Sequence, residues 1–322
     1  MDTLKLNLKD KKILYELDLN ARQPCSKIAK KIGLSTEVVN YRIKRLEEEN
    51  IITQYQIILN LAKIGLLQFK ICLSLQHLSS EKLKSIIEEL KEKEEVKWIV
   101  SCRGDWDVII SLEIDSIYKV ESLKEEVLSL FSGYINKKAI SILIEASTYN
   151  RNYLIDKKTS LIQKRIILEQ DEKINLDKLD IDILKELSGN ARKSLIDIAH
   201  NLKKSPRAIN YRIKQMIKNK IILGFKIALN YEKLGIKFYK MFIYLDSPNK
   251  RRIQEFTNYL ELNKNIITQV KVIGNWELEP EIETFSEEEF NNLLIELKDK
   301  FSDIISKIET ITISKEHKFV YF

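Results

Sequence analysis

The pentapeptide Asn40-Tyr41-Arg42-Ile43-Lys44 recurs unchanged as Asn210-Tyr211-Arg212-Ile213-Lys214, at an offset of 170 residues. The same offset places Asn20-Ala21-Arg22 on Asn190-Ala191-Arg192, and it gives 25 identities in the 66 positions from residue 10 to residue 75 without a gap. One offset that holds over this length is not the pattern of a short solenoid repeat. It predicts two tandem copies of one unit of about 150 residues.

The pentapeptide lies in the third of three helices predicted at the start of the first unit. Spaced apolar residues predict helices over 10–19, 26–32 and 36–50, and Ser35 is a good N-cap for the third. Helix, helix, tight turn and helix is the helix-turn-helix pattern. The alternating segment 51–59 that follows is predicted to be the β-structured wing.

Val39, Ile43 and Leu46 form an apolar stripe on the third helix, so the opposite face is predicted to be exposed. That face suits a DNA major groove, because Asn and Arg can read base edges while Lys and Arg contact phosphates. The predicted DNA-binding residues are Ser35, Thr36, Glu37, Asn40, Tyr41, Arg42, Lys44 and Arg45 in the first copy, and Ser205, Arg207, Asn210, Tyr211, Arg212 and Lys214 in the second. A helix-turn-helix can also bind another protein, and this alternative stays open.

The net charge of +7 is concentrated in two blocks. Residues 1–60 carry a net charge of +3 and residues 177–235 carry +7, whereas 61–149 and 236–322 are acidic. Localised positive charge is expected of a surface that meets a polyanion, although solvated lysine-rich helices can give the same pattern. The second copy is therefore expected to bind the DNA backbone more strongly than the first.

The rest of each unit is predicted to fold as βαββαβ, a ferredoxin-like sandwich with helices on one face of the sheet. In the first unit the predicted strands and helices are 68–75, 80–91, 96–102, 108–114, 116–130 and 137–144, and in the second they are 238–245, 250–261, 266–273, 277–283, 286–302 and 306–313.

On the open sheet face, Glu279 and Glu281 stand in the second unit where Ile109 and Ser111 stand in the first. Either this acidic face has lost self-association, or it meets lysines of the first unit, and the sequence leaves both alternatives open. The candidate lysines are Lys70, Lys97 and Lys138.

These patterns predict an α+β chain of two tandem units. The predicted domains are a winged helix-turn-helix at 1–60, a ferredoxin-like effector and dimerisation domain at 61–149, a linker at 150–176 with a helical stretch at 160–170, a second winged helix-turn-helix at 177–235 and a second ferredoxin-like domain at 236–322.

Composition narrows the classes of protein and site. No apolar run reaches the roughly 18–20 residues of a membrane-spanning helix, and the first residues lack the apolar core of a signal peptide, so we expect a cytoplasmic protein. The three cysteines are isolated and are expected to be reduced, and the three histidines are scattered, which argues against a zinc site. No metal and no cofactor is predicted.

Together these motifs resemble the Lrp/AsnC, or feast/famine, family of regulators over nearly the whole of both units. The matching residues are Asp10, Asn20-Ala21-Arg22, Ser35, Val39, Tyr41 to Leu46, Ile51-Ile52 and the turn Gly104-Asp105-Trp106-Asp107. The resemblance implies a winged helix bound to double-stranded DNA and a βαββαβ domain of the RAM type that dimerises through its sheets. Two units in one chain then imply an intramolecular pseudo-dimer, and further homo-oligomerisation stays open.

The resemblance also implies that a small molecule, commonly an amino acid, is sensed near that turn. The residues assigned to effector binding are Gly104, Asp105, Trp106, Asp107, Gly274 and Asn275. The alternative is that Gly104-Asp105 is only a β-turn between two strands and that Trp106 and Trp276 are core aromatics.

The predicted function is thus that of a DNA-binding transcription regulator, not of an enzyme. Sirohaem decarboxylases resemble it in architecture and form the alternative. They would need cationic and histidine side chains around an acidic tetrapyrrole, which three scattered histidines do not suggest. A third alternative is a fold used only for contacts between proteins.

Overall fold

The computed structural model describes residues 6–156, 165–168, 173–246 and 249–320. The first unit contains α1 Leu8–Leu19, α2 Cys25–Ile32, α3 Thr36–Glu48, β1 Ile52–Leu59, β2 Leu67–Leu75, α4 Ser80–Lys91, β3 Val96–Gly104, β4 Val108–Ile114, α5 Lys119–Leu130 and β5 Ile135–Thr148. After β6 Arg165–Leu168, the second unit contains α6 Lys178–Gly189, α7 Leu195–Asn201, α8 Pro206–Lys218, β7 Ile222–Leu229, α9 Tyr231–Leu234, β8 Lys237–Leu245, α10 Lys250–Leu262, β9 Ile266–Ile273, β10 Leu278–Thr284, α11 Glu287–Lys300 and β11 Ile305–Phe319.

The helices and strands agree with the sequence prediction, apart from the connection between the units. The helix predicted over 160–170 is wrong at Arg165–Leu168, which forms strand β6 and pairs with the end of β5 from Ala146 to Thr148. Isoleucine, which occupies positions 166 and 167, favours an extended backbone. The edge of β5 offers backbone N–H and C=O groups with which such a strand can pair. The remainder of that predicted helix, 160–164 and 169–170, lies outside the described residues.

The capping residues set the start of each recognition helix. The hydroxyl of Ser35 accepts a hydrogen bond from the backbone N–H of Val38, and that of Ser205 accepts one from Ala208. In the first copy the turn before the cap is made by Gly33 at φ 66°. In the second copy Lys203 adopts φ 52° at the equivalent position, in a left-handed region that disfavours side chains. This second turn is therefore less favourable than the first.

The segments predicted to be wings pair across the units. β1 and β7 form a two-stranded antiparallel ribbon that extends from Ile52 opposite Leu229 to Leu59 opposite Ile222, with a register shift near each end. In the described residues, each segment is a single strand that forms no hairpin within its own unit. Its backbone N–H and C=O groups need hydrogen-bond partners where the strand is buried. The equivalent strand of the other unit supplies that partner.

The eight strands of the two ferredoxin-like domains close into one antiparallel ring. The order is β2-β4-β3-β11-β8-β10-β9-β5, and β5 returns to β2. The long strands β5 and β11 make the junctions: Ile142 pairs with both Phe69 and Ile273, and Ile311 pairs with both Lys240 and Gly104.

The strands alternate between two cores. Their outward residues pack under α4 and α5 in the first unit and under α10 and α11 in the second. Their inward residues face the other unit inside the ring. The open face predicted for each sheet is thus covered by the other unit, which is the pseudo-dimer that the resemblance implies.

A buried ion cluster joins the two sheets inside the ring. The Nζ atoms of Lys70 and Lys240 lie 2.7 Å and 2.9 Å from Oε2 of Glu279, and Lys240 also lies 2.9 Å from Oε1 of Glu281. The interpretation that the acidic face meets Lys70 is confirmed, whereas Lys138 is exposed. Burial alone would raise the pKa of Glu279, but the charges of Lys240 and Lys70 outweigh it and hold that pKa well below its ordinary value.

We predict that Lys70 and Glu279 contribute to stability as a unit. Lys70→Met leaves a buried carboxylate in excess and Glu279→Gln leaves a buried ammonium in excess, so each change should lower the free energy of unfolding by about 3–5 kcal/mol. The double variant retains the neutral Lys240–Glu281 pair. Its loss should therefore be smaller than the sum of the two single losses by about 1–3 kcal/mol in urea denaturation.

The matched control is the exposed pair of Lys237 and Glu287, whose Nζ and Oε2 atoms are 2.6 Å apart. Water screens this pair, so Lys237→Met should cost less than about 1 kcal/mol. Additive losses for Lys70→Met and Glu279→Gln, or losses no larger than that of the control, would contradict the prediction.

Candidate nucleic-acid interface and inner cavity

The recognition helices α3 and α8 present the face that the sequence predicts. Val39, Ile43 and Leu46 are buried against the other helices of the first copy, and the equivalent side chains of α8 are buried too. Tyr41 and Tyr211 are 67% and 60% exposed, which is unusual for large aromatic side chains. The other predicted contact residues that are exposed are Ser35, Glu37, Asn40, Lys44, Ser205, Arg207 and Lys214, and those that are half-buried are Thr36, Arg42, Arg45, Asn210 and Arg212.

Arg45 does not point freely outward as predicted. Its Nη2 lies 2.7 Å from Oδ2 of Asp10, and Nη1 of Arg42 lies 2.8 Å from Oδ1 of the same buried carboxylate on α1. The two guanidinium groups fix α3 against α1, because Asp10 has only 2% of its side chain exposed and needs charged partners. Arg42 and Arg45 thus add positive charge to this face, but part of each guanidinium is hydrogen-bonded to Asp10 within the protein.

The second copy holds its recognition helix with one arginine. Nη1 of Arg212 lies 2.6 Å from Asp177 and 3.3 Å from Asp180, and Gln215 stands where Arg45 stands in the first copy. These carboxylates raise the pKa of the Arg212 guanidinium, with the hydrogen bond to Asp177 as the main cause.

Two duplicated arginines hold the helix-turn-helix heads together. Arg22 donates from Nη1 to the backbone carbonyls of Ala191 and Lys193, at 2.6 Å and 2.8 Å. Arg192 reciprocates by donating to the carbonyls of Ala21 and Gln23. With the β1–β7 ribbon, these contacts fix α3 and α8 in one pseudo-symmetric arrangement.

The turn assigned to effector binding lies at the junction of the units. A Cβ atom added to Gly104 would meet the carbonyl oxygen of Thr310 at 2.6 Å, and one added to Gly274 would meet that of Ile140 at 2.8 Å. Both glycines thus permit a strand of the other unit to approach closely. Asp105 and Asn275 are exposed. The assignment of these residues to an effector remains a prediction.

Other residues of that turn have structural roles. A carboxylate oxygen of Asp107 accepts a hydrogen bond from the backbone N–H of Leu75 at 2.7 Å, which ties the turn to β2. Trp106 is fully buried and its ring centroid lies 6.0 Å from that of Trp276. The alternative that the two tryptophans are core aromatics is therefore confirmed, and Trp106 offers no exposed surface to an effector.

A cavity of about 140 Å³ lies between the β1–β7 ribbon and the inward face of the ring. Trp98, Leu143, Phe238 and Val270 give it an apolar wall. Its polar wall contains Gln68, Lys70, Lys97, Ser111, Glu113, Arg151, Lys226, Tyr231, Glu281 and Glu316. The cavity is partly open to solvent.

Arg151 is the most highly connected cation of this wall. Its guanidinium binds Glu283 from Nε at 2.8 Å and from Nη2 at 3.0 Å, and it binds Asp18 of α1 from Nη1 at 2.7 Å. The side chain therefore ties a helix of the first head to a strand of the second sheet. Arg151 lies in the segment 150–176 that is predicted to be a linker, and a lone arginine after a strand carries no signal of this role.

Glu113 is a second residue of this wall that the sequence does not single out as functional. It is 5% exposed, and its Oε2 atom is buried with no hydrogen-bond partner among the described residues. Burial raises the pKa of Glu113 to about 8, with Lys97 opposing the shift, and burial raises that of Glu316 to about 7. Alternation along β4 places Glu113 on the same inward face as Ile109 and Ser111. A charged residue at such a buried position is the sequence signal that points to it.

None of the helices in the described ranges is both long enough and apolar enough to cross a membrane. The part of the chain that the structure describes also brings together no group of three side chains suited to hold a metal ion.

We predict that Glu113→Gln stabilises the protein most at high pH. Because the folded-state pKa of Glu113 is raised, folding retains a proton that the unfolded chain loses above about pH 4.5, and stability falls as pH rises toward 8. Glutamine does not titrate. The variant should therefore gain about 1–3 kcal/mol at pH 8.5 and much less at pH 5 in chemical denaturation.

Glu95→Gln removes the same charge from an exposed position beside the start of β3 and serves as the control. It should show no gain that grows with pH. If Glu113→Gln lost stability equally at both pH values, a paired Glu113 would be indicated and the prediction would be wrong.

Comparison with known proteins agrees with this architecture. A family of winged helix-turn-helix DNA-binding domains matches residues 6–53 and 176–222, which are the two heads. The HTH-type transcriptional regulator LrpA of Pyrococcus horikoshii is 39% identical over 97 residues, covering 30% of this chain and 67% of that protein. The regulatory protein AsnC of Haemophilus influenzae is 27% identical over 137 residues, covering 42% of this chain and 90% of its own.

Both units together are similar in fold to a solved structure of the siroheme decarboxylase NirDL. The TM-score is 0.62 at 13% sequence identity, over 98% of this chain and 93% of that chain. At this identity the similarity concerns the fold alone. The matches of both heads and the identity to LrpA decide the family: the chain belongs to the Lrp/AsnC family of helix-turn-helix transcriptional regulators, with two family units in one polypeptide.

Proposed function

We propose that this protein regulates transcription by binding double-stranded DNA with α3 and α8 together. The observation that carries the proposal is the reciprocal clamp of Arg22 and Arg192, which holds two exposed recognition helices in a fixed relation. A dimeric helix-turn-helix protein needs this relation to place both helices in successive major grooves, about 34 Å or a multiple apart. Here one chain supplies both helices.

The two heads are suited to different half-sites. Glu37 of α3 corresponds to Arg207 of α8, and both side chains are exposed at the start of their helices. The end of α3 continues into Glu47-Glu48-Glu49, whereas Lys218 and Lys220 follow the same path in the second copy. An asymmetric operator with tighter backbone contacts to the second head fits this arrangement.

The fold similarity to NirDL makes a tetrapyrrole enzyme the second candidate. The described residues that line the inner cavity include lysines and an arginine but no histidine. The described histidines lie apart: His77 follows β2, His200 lies in α7, and His317 in β11 accepts or donates a hydrogen bond with Ser101. The regulator is therefore the better supported function, and a small-molecule effector such as an amino acid at the Gly104 turn remains part of this proposal.

The proposal is tested by binding the protein to fragments of its own upstream region and to random DNA over a salt series. We expect a sequence preference and an affinity that falls steeply with salt. Absence of DNA binding at low salt would contradict the regulator. A tetrapyrrole absorbance band after incubation with a sirohaem-type compound would then favour the enzyme. If the chain bound only another protein, a module for contacts between proteins would be favoured.

We predict that a charge reversal in either recognition helix weakens DNA binding. Lys44→Glu in α3 and Lys214→Glu in α8 should each lower affinity about 3- to 30-fold and reduce the salt slope by roughly one to two. The effect of Lys214→Glu should be the larger, because more cations surround it. Fluorescence anisotropy with an upstream fragment measures both values.

Lys84→Glu makes the same charge change on the exposed face of α4, remote from both heads, and should leave affinity within about twofold. A loss for Lys84→Glu equal to that for Lys214→Glu would mean that overall charge, and not the recognition helices, determines binding.

A further inference from the structure

The duplication makes Glu113 and Glu283 equivalent residues in very different surroundings. Glu283 receives two hydrogen bonds from the guanidinium of Arg151, one from Tyr153 at 2.5 Å and one from Tyr231 at 2.8 Å. Its carboxylate is thus neutralised by a cation and satisfied on both oxygens. Glu113 lies on the same inward face of the first unit, where the offset of 170 residues puts Leu61 in the place of Tyr231.

Among the described residues, none places a guanidinium beside Glu113. Its Oε2 atom is buried without a hydrogen-bond partner in the described part of the chain, and the charge that opposes the rise of its pKa is that of the half-buried Lys97. A buried carboxylate without partners is costly, and a cation that reaches it gains a strong charge-assisted hydrogen bond. This side of the cavity therefore has acceptors in excess of donors.

Two other cations of the cavity wall, Lys70 and Lys226, are held by different acceptors. Lys70 lies 2.7 Å from Glu279. Lys226 donates to the carbonyl oxygen of Tyr149 at 2.5 Å. Glu316 adds a further carboxylate to this wall, and it accepts a hydrogen bond from the indole N–H of Trp98 at 2.9 Å.

The size and the remaining wall of the cavity limit what could fit. A volume of about 140 Å³ is close to that of an engineered cavity of about 150 Å³ that binds benzene in another protein. Leu143, Phe238 and Val270 offer apolar contacts opposite the polar wall. A ligand of roughly six to twelve non-hydrogen atoms with one charged end fits this volume and this division into an apolar and a polar wall.

We propose that the cavity binds a small organic cation, in which an ammonium or guanidinium group on an apolar body pairs with Glu113 as Arg151 pairs with Glu283. The ligand replaces in the first unit the cation that the chain itself supplies in the second. Binding at Glu113 is distinct from the effector assignment at the Gly104 turn.

Binding is coupled to release of a proton near neutral pH. Burial raises the pKa of Glu113 to about 8, so the carboxyl is mostly protonated at pH 7 until a cation favours its ionised form. Affinity should therefore rise as pH rises from 6 to 8.5. The other charged groups that face this part of the cavity are Lys70 on β2, Lys97 on β3, Glu281 on β10 and Glu316 on β11.

The cavity also offers a route from ligand to DNA, which rests on the proposed function. Gln56 and Ile58 of β1 and Leu229 of β7 form one side of it. These strands follow the recognition helices directly, and they form the ribbon that spans both heads. A ligand that bridges ribbon and ring favours the docked arrangement of the heads over any other, and so changes DNA affinity.

The test is isothermal titration calorimetry of the full chain with four benzene derivatives of similar size. Benzylamine carries an ammonium group, benzamidine a planar group like guanidinium, benzyl alcohol no charge and benzoate a negative charge. We expect benzylamine or benzamidine to bind, with the tighter of the two identifying the cationic group, and the alcohol and benzoate to bind at least about tenfold more weakly.

Glu113→Gln should weaken cation binding at least about tenfold and abolish proton release, as measured in buffers of different ionisation enthalpy. The control Glu95→Gln should bind within about twofold of the unaltered chain. Absence of binding by both cations, preference for benzoate, or equal binding by Glu113→Gln would each overturn the proposal. Since no DNA is present, a failure here leaves the proposed function standing, and a failure to bind DNA leaves the cavity proposal standing.

Discussion

The contact on which the arrangement of the two units depends is the buried carboxylate of Glu279, which receives the ammonium groups of Lys70 and Lys240. The two lysines are equivalent residues of the duplicated unit, but the first copy has Ile109 where the second has Glu279. Two first units facing each other would bury two lysines without this carboxylate, and two second units would bury an excess of acid. Within this cluster, only the pairing of unlike units balances two lysines with two glutamates.

The same divergence extends along the interface. Glu279 also accepts a hydrogen bond from the indole N–H of Trp276 at 2.9 Å, whereas the equivalent N–H of Trp106 is buried without a partner in the described residues. Arg151 binds Asp18 in one head and Glu283 in the opposite sheet. The pseudo-symmetric arginine clamp and ribbon thus align the heads, while the asymmetric polar contacts decide which sheet faces which.

Much of this architecture follows from the sequence, because repeats and apolar periodicity are local signals. The recognition helices, the buried stripe from Val39 to Leu46 and the βαββαβ order are confirmed. Contacts set by docking are not local: pairing of β1 with β7 needs both heads in place, and the partner of Asp10 is two helices away. Glu113 could be placed on an inward face from strand parity, but its lack of a cation depends on what the other unit brings there.

The pairing of unlike units can be measured directly after the chain is cut between them. A protease site placed within residues 157–164 of the full chain permits the two units to be separated after folding, and native mass spectrometry then reports their association. We expect one complex of one first and one second unit that persists after cleavage and does not exchange into pairs of like units. Separation into free units, or formation of pairs of like units, would contradict the account.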